Sequence, residues 1–174
     1  MREEMLLKKI KEGEESALEQ LVSLYYPDIL RYCIWHAPDL YLAEDAAQET
    51  FLKAINYVGT CGFSGKFKAF LYKIALNTCR DMKKSKWSKR LPLDVIADEI
   101  PYDDGGFKEI EEMFAIRAYT RGLDDLSQEF VLLRFRQNLK LREIAEVLGV
   151  PMRTVQSKLR TALRRIEAEL KGGR

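Results

Sequence analysis

The sequence predicts an all-α protein made of two small helical domains joined by a flexible acidic linker. Three observations carry this. Apolar residues recur at three- and four-residue spacing from Leu6 to Met82 and again from Ile110 onward. No stretch alternates polar and apolar residues long enough to make a strand. Between the two periodic halves, prolines, glycines and a run of acids break the pattern. A length of 174 residues suits one medium domain or two small helical ones.

In the first half, Leu6, Leu7 and Ile10 open a short helix that Gly13 ends. Ser16 begins S-A-L-E, a capping-box pattern with Glu19 as the reciprocal acid. Leu18, Leu21, Val22, Tyr25, Ile29 and Cys33 follow at helical spacing, with Pro27 a kink point and Pro38 a limit. From Leu40 to Val58 two faces separate: Ala47, Phe51, Ala54, Ile55 and Val58 on one, Glu44, Asp45, Gln48 and Glu49 on the other. Gly59 to Lys66 reads as a loop. A long helix is expected from about Lys66 to Lys84. Its buried side is Phe67, Phe70, Leu71, Ile74, Ala75, Thr78 and Met82, and its polar face is Lys66, Lys73, Asn77, Arg80 and Lys84. A basic tail, Lys83, Lys84, Lys86, Lys89 and Arg90, follows.

Charge then inverts. Between Asp94 and Glu112 the acids are Asp94, Asp98, Glu99, Asp103, Asp104, Glu109, Glu111 and Glu112, against the single base Lys108. Pro92, Pro101, Gly105 and Gly106 oppose regular structure there. The expected organisation is a first domain at 1–90, a linker at 91–108 and a second domain at 109–174.

In the second domain Ile110, Met113, Phe114 and Arg117 to Tyr119 suggest one helix. Ser127 is placed to cap another, with Phe130, Val131, Leu133 and Phe135 as core. The most specific motif runs from Leu141 to Ala162 and has the spacing of a helix-turn-helix. With Leu141 as its first position, Ala145 is fifth, Gly149 ninth and Val155 fifteenth. The fifth must be small to pack under the second helix, the ninth must tolerate a positive φ, and the fifteenth must be apolar to anchor the second helix. Ile144, Leu148, Val155, Leu159, Ala162 and Ile166 supply core. Arg153, Thr154, Gln156, Ser157, Arg160 and Thr161 face outward, and no acid occurs from Pro151 through Ile166. Such a face fits the major groove, where Arg and Gln read base edges and Ser, Thr and Lys hold phosphates. Lys140 and Arg142 are placed to grip the backbone. A three-helix bundle with a solvated polar face is the plainer alternative.

The basic face of the long helix also has two readings, a solvated surface or a site for single-stranded DNA. Phe63, Phe67, Tyr72 and Trp87 lie near the charges, and flat rings beside cations suit unstacked bases. The acidic face around Glu44 to Glu49 is a solvated stripe or a protein-docking surface. A metal site is disfavoured, because the one histidine, His36, is not at helical spacing from those acids. The pair Cys33 and His36 reads as packing. No nucleophilic triad or glycine-rich phosphate loop is visible, so neither a catalytic centre nor a cofactor is expected. Cys33, Cys61 and Cys79 are an odd, scattered set, and the charged N-terminus lacks a signal-peptide core. No apolar run approaches a membrane span. A cytoplasmic setting is expected.

Taken together these residues resemble the extracytoplasmic-function (ECF) sigma factors of the sigma-70 family, over nearly the whole chain. A-E-D-A-A-Q-E-T-F-L-K-A, from Ala43 to Ala54, resembles the family's core-binding stretch in region 2. Phe63 to Lys84 resembles the stretch that reads and opens the −10 element, and the helix-turn-helix resembles region 4, which reads the −35 element. The resemblance implies that Asp45, Gln48, Glu49 and Leu52 face core RNA polymerase. It implies that Asn77 with the loop Phe63, Ser64, Lys66 holds a flipped −10 base, and that Lys73, Arg80, Lys83 and Lys84 hold the strand's backbone. It assigns −35 recognition to Lys140, Arg142, Arg153, Thr154, Gln156, Ser157, Lys158, Arg160 and Thr161. The linker would then pass through the polymerase channel that later carries RNA, and an anti-sigma protein would hold the factor inactive. Region 1.1 and a folded region 3 have no room in this length.

The sequence departs from the family pattern in three places. Phe70 replaces the usual tryptophan before L-Y, Arg153 the usual glycine before T-V, and Lys158 the arginine of S-R. Lysine lacks the bidentate fork of arginine, so a distinct −35 preference is expected. The alternative function is a helix-turn-helix regulator acting on duplex DNA without polymerase docking. A DNA-processing enzyme such as a recombinase would need a nucleophile or metal cluster that the sequence does not show.

Overall fold

The computed structural model describes residues 2–85 and 104–173, with side chains of the second stretch from residue 111. The chain divides into two compact units, Met1–Glu99 and Ile100–Arg174. Every described regular element is helical. None of the described helices is long and apolar enough to cross a membrane.

The first unit contains α1 (Arg2–Lys11), α2 (Glu15–His36), α3 (Leu40–Cys61) and α4 (Phe67–Ser85). Gly13, at φ +87°, makes the turn after α1. The cap of α2 differs from the sequence expectation. Its N-cap is Glu14, and Ser16 sits in the first turn, donating its hydroxyl to Glu14 Oε1 at 3.1 Å. Lys9 Nζ reaches the same oxygen at 3.1 Å, so Glu14 is held by groups on both sides and the helix starts ahead of the serine. Its carboxyl lies below the ordinary glutamate range, chiefly through the Lys9 bond and then the Ser16 bond.

Helix α2 runs unbroken through Pro27, because Leu21, Tyr25, Ile29, Tyr32 and Cys33 are buried on both sides of it. Burying such side chains contributes about 1.5–3 kcal/mol each, which offsets the roughly 3 kcal/mol of an internal proline. It ends at Ala37, just before Pro38. Helix α3 is longer than expected: it continues through Gly59 to Cys61, and the turn begins at Gly62. Val58, 3% exposed, anchors that extra turn.

Several aromatic residues of this unit are core. Phe67 is 1% and Tyr72 0% exposed. Tyr72 packs edge-on against Tyr32 at 5.2 Å, and Tyr32 against His36 at 4.9 Å. Burial, then the charge of Asp28, holds the Tyr72 phenol far above its ordinary range. Cys33 lies beside Cys79, Sγ to Sγ 3.9 Å, so Cys33 and His36 each face packing partners as the sequence suggested.

The second unit contains α5 (Asp104–Thr120), α6 (Asp125–Val131), a π-helical turn (Leu132–Arg136), α7 (Leu141–Leu148) and α8 (Met152–Gly172). Helix α5 reaches into the end of the segment read as linker, from residue 104 to 108. The glycine pair falls in its first turn, where glycine is cheaper than in a helix interior. The rest of the linker, from 91 to 103, lies outside the described residues, as do Lys86, Trp87, Lys89 and Arg90.

The cap of α6 is also displaced from expectation. Asp124 is the N-cap, and it accepts from Ser127 N at 2.9 Å and Ser127 Oγ at 2.8 Å. Ser127 is thus the third residue of the helix and donates to the cap. Phe130, Val131 and Leu133 are buried as expected, but Phe135 is 51% exposed. The π-helical turn accounts for this, since its wider winding rotates Phe135 out of the register that an α-helix would give.

Candidate nucleic-acid interface

The face expected to dock on a partner stands on α3. Asp39 caps the helix, accepting from Leu42 N at 2.8 Å. Ala43, Ala46, Ala47, Thr50, Phe51, Ala54 and Val58 are buried, which turns positions 41, 44, 45, 48, 49 and 52 outward. Glu44 and Gln48 are exposed, and Asp45 and Glu49 half-buried. Leu52 is 58% and Tyr41 69% exposed on the same side. The sequence reading missed Tyr41, which precedes the apolar stripe; its signal is an aromatic at i−4 from Asp45. Lys53 joins Glu49 at 3.6 Å and donates to Thr78 Oγ1 of α4 at 3.3 Å, tying the edge of the face to the next helix. The result is an acidic surface around two large exposed side chains, the composition of a docking patch.

On α4, Lys66, just ahead of the helix, and Lys73, Asn77, Arg80, Lys83 and Lys84 are all exposed. At roughly 100° per residue, positions 66, 73, 77, 80 and 84 form one narrow stripe, with Asp81 on its edge and Lys83 to one side. Phe67 and Tyr72, read from the sequence as rings for bases, belong to the core instead, and Trp87 lies outside the described residues. The reason is register: both residues sit on the face turned inward by Leu71, Ala75 and Cys79. The available rings are others. Phe63 packs on Phe70 at 4.8 Å and on Phe67 at 5.8 Å, and Phe70 on Tyr57 at 5.1 Å. Phe63 and Phe70 are half-buried and Tyr57 is 47% exposed. Gly62 at φ +68° and Gly65 at φ +123° bend the chain so that Phe63 folds back onto α4 while Ser64 stays exposed.

The face expected to meet duplex DNA stands on α7 and α8. Gly149 adopts φ +65°, and a Cβ there would meet nothing within 4 Å, so glycine is demanded by conformation and not by space. Val150 N donates back to Ala145 O at 3.1 Å, closing the turn, and Pro151 precedes α8. Ala145 is half-buried, not sealed beneath α8. Ile144, Val155, Leu159 and Ala162 are buried, with Leu148 and Ile166 half-buried at the margin. Arg153, Gln156, Ser157, Lys158, Arg160 and Thr161 are exposed, and Thr154 is half-buried. Lys140 and Arg142 are placed at the start of α7, where Lys140 N donates to Glu143 Oε2 at 2.7 Å.

At roughly 100° per residue, Arg153, Ser157 and Arg160 share the crest of α8 with Gln156 beside them. Lys158 lies off that crest, and its charge is felt by Asp124 at the start of α6. Arg164, exposed and on the crest, extends it by another turn. It falls outside the helix-turn-helix motif, which ends at Ala162; its spacing of 11 from Arg153 is the signal.

The same two segments are picked out by comparison with known proteins. The family model of sigma-70 region 2 matches residues 21–89, and that of sigma-70 region 4 matches residues 113–166. The chain is 32% identical to the RNA polymerase sigma factor YlaC of Bacillus subtilis, over 89% of this chain and 90% of that one. It is 29% identical to the ECF RNA polymerase sigma factor SigW of Bacillus subtilis, over 93% of this chain and 97% of that one. The solved structure of CnrH in complex with the cytosolic domain of CnrY shares its fold, with a TM-score of 0.75, 21% identity and 99% of each chain covered.

Proposed function

We propose a division of labour among three surfaces, from the premise that the chain belongs to the ECF group of the sigma-70 family and is a promoter-directing sigma factor of RNA polymerase. The face of Asp45, Gln48, Glu49 and Leu52, with Tyr41, docks on core polymerase. The α7–α8 motif reads duplex DNA at −35 through Arg153 and Gln156, with Lys140, Arg142, Thr154, Ser157, Arg160 and Thr161 on phosphates and flanking contacts. The stripe of Lys66, Lys73, Asn77, Arg80 and Lys84, with Lys83 beside it and the loop Phe63–Ser64, holds the unpaired −10 strand. Lys158 is a lesser contact, since it stands off the crest. The domain limits proposed are 1–90 and 109–174, with the linker between them.

The observation that carries this reading is the exposure of the whole α4 stripe beside a partly open ring cluster, in the same chain as a helix-turn-helix. A duplex-only regulator has no use for the stripe. Opening is then driven by binding to the unpaired strand, not by catalysis of the protein's own, and proceeds without a cofactor. The setting is cytoplasmic, where polymerase and DNA are. An anti-sigma protein completes the partner set; CnrH, which shares the fold, is held by the cytosolic domain of CnrY. Run-off transcription with purified core polymerase tests the reading. Transcripts from a defined start that depend on this chain support it. Duplex binding as a free dimer on a palindrome, with no transcription, supports the regulator instead.

A further inference from the structure

Helices α2 and α4 bring two thiols together in the core of the first unit. Cys33 Sγ and Cys79 Sγ stand 3.9 Å apart, with the Cys79 thiol directed at the Cys33 sulfur. They are 46 positions apart in sequence, and neither belongs to the three surfaces. Cys33 is 0% and Cys79 2% exposed, and both are thiols rather than a disulfide. Each sits near the end of its helix, since α2 ends at His36 and α4 at Ser85. The Cys33 carbonyl itself accepts the bond from Ala37 N that closes the last turn of α2, at 2.8 Å. Helix ends open more readily than helix middles, and such an opening admits a reagent as small as hydrogen peroxide.

The pair stands behind the α4 stripe. Asn77 and Arg80, both exposed, flank Cys79 in the sequence, while Ala75 and Met82 are buried with it on the inward side. A disulfide holds its sulfurs about 2.0 Å apart. Bonding therefore draws α4 toward α2 or turns it about its axis. Tyr32 of α2 and Tyr72 of α4 are both 0% exposed and meet edge to face, so the contact between these helices is filled. A close-packed interior passes a shift on instead of absorbing it. The residues on the outer side of α4 move with the helix that carries them. Two thiols that meet inside a cytoplasmic protein suit a transient bond that responds to oxidant, not a permanent staple.

We propose that Cys33 and Cys79 form a reversible disulfide when the chain meets hydrogen peroxide, and that this bond lowers promoter opening by displacing the α4 stripe. Cys79 Sγ, the sulfur that keeps some exposure, attacks one peroxide oxygen. The O–O bond breaks, an S–O bond forms, and the thiol proton leaves with the other oxygen as water. Cys33 Sγ then attacks the Cys79 sulfur. The S–S bond forms, the S–O bond breaks, and the hydroxyl leaves with the Cys33 proton as a second water. The two thiols lose two electrons and the peroxide gains them; an added dithiol reverses the bond by exchange. The effect on opening rests on the sigma reading of α4, whereas formation of the bond does not.

The test treats the full chain with hydrogen peroxide, removes the peroxide with catalase, and only then adds core polymerase and promoter DNA. The chain carries Cys61→Ser, so that the buried pair are its only cysteines, and is compared with chains that also carry Cys33→Ala or Cys79→Ala. Mass spectrometry of unreduced peptides is expected to find Cys33 linked to Cys79. Opening at −10 is expected to fall about fivefold or more, the size of one lost base contact, with protection at −35 unchanged. Dithiothreitol added before the polymerase restores opening. Each alanine variant, its fold checked by melting under reducing conditions, is expected to open promoters equally with and without peroxide; one folded variant suffices. No linked peptide at peroxide levels that modify Cys61 of the wild-type chain overturns the proposal, because the pair is then packing alone. A linked peptide with unchanged opening overturns the switch. So does a loss of opening in an alanine variant, or a loss of −35 protection together with opening, since damage elsewhere is then the cause. If the untreated chain opens no promoter, the sigma reading of α4 falls and the proposed effect on opening falls with it.

Discussion

Phe63 lies over Phe70 with ring centroids 4.8 Å apart and planes 36° from parallel, so the loop ahead of α4 is folded onto the helix. The ring that a base would stack on is therefore already positioned by a second ring. Stacking on a held ring costs less ordering than stacking on a free one. The same relationship separates residues that hold the fold from residues proposed to meet DNA.

Phe67→Ala and Phe63→Ala should divide along that line. Phe67, 1% exposed, packs against Tyr25, Phe63 and Phe70, and its truncation should cost about 3–5 kcal/mol of stability. Half-buried Phe63 should cost about 1 kcal/mol, yet lose promoter opening, because base stacking on an aromatic is worth about 1–3 kcal/mol. Chemical denaturation paired with an opening assay checks both.

Asp124 caps α6 through two bonds from Ser127, and those bonds, the backbone one first, hold its carboxyl below the ordinary aspartate range. Asp124→Ala should destabilise the second unit by about 0.5–2 kcal/mol at neutral pH. A depressed folded pKa means the ionised form is the stabilising one. The contribution is thus complete above the unfolded pKa of about 3.9 and is lost as pH falls through the lower folded value. Wild type and Asp124→Ala should converge in stability on acidification below about pH 4. Melting curves across that range measure the convergence.

Gly149 needs its φ of +65° and has open space around the Cβ position. Gly149→Ala should cost about 1–2 kcal/mol without changing which −35 sequence is preferred, and Gly149→Asn should cost less. A change in preference would show that the residue contacts DNA.

Arg153→Ala or Gln156→Ala should relax −35 discrimination by about 1–3 kcal/mol at one position. Arg164→Ala should weaken all promoters alike and reduce the log–log salt slope by about 0.9. Binding titrations over a salt series separate the two patterns.

Leu52 is 58% exposed, so Leu52→Glu should leave melting within about 0.5 kcal/mol of wild type while lowering affinity for core polymerase at least about tenfold. Sedimentation of the labelled chain with core enzyme measures it.

The helices and the exposure of most charged positions on them were legible because apolar spacing and charge are written residue by residue. The caps were not. Ser16 and Ser127 carry the right chemistry, but an acid two or three positions earlier, Glu14 or Asp124, accepts their bonds and moves the boundary. Phe67 and Tyr72 sat beside lysines in sequence, yet the rotation of α4 put them in the core. Phe135 looked apolar and internal until a π-helical turn rotated it outward. Helix α1 and the loop at Phe63, Ser64 and Gly65 line one cleft, a closeness of residues far apart in sequence that only the packed unit creates.

The most direct test is permanganate probing of thymines in a selected promoter bound by holoenzyme, alongside protection of the duplex at −35. Wild type should show both reactive thymines at −10 and protection at −35. The triple variant Lys73→Ala/Asn77→Ala/Arg80→Ala should keep the protection and lose the reactivity. Reactivity that survives in this variant would contradict the separation of a melted-strand surface from a duplex surface on this chain.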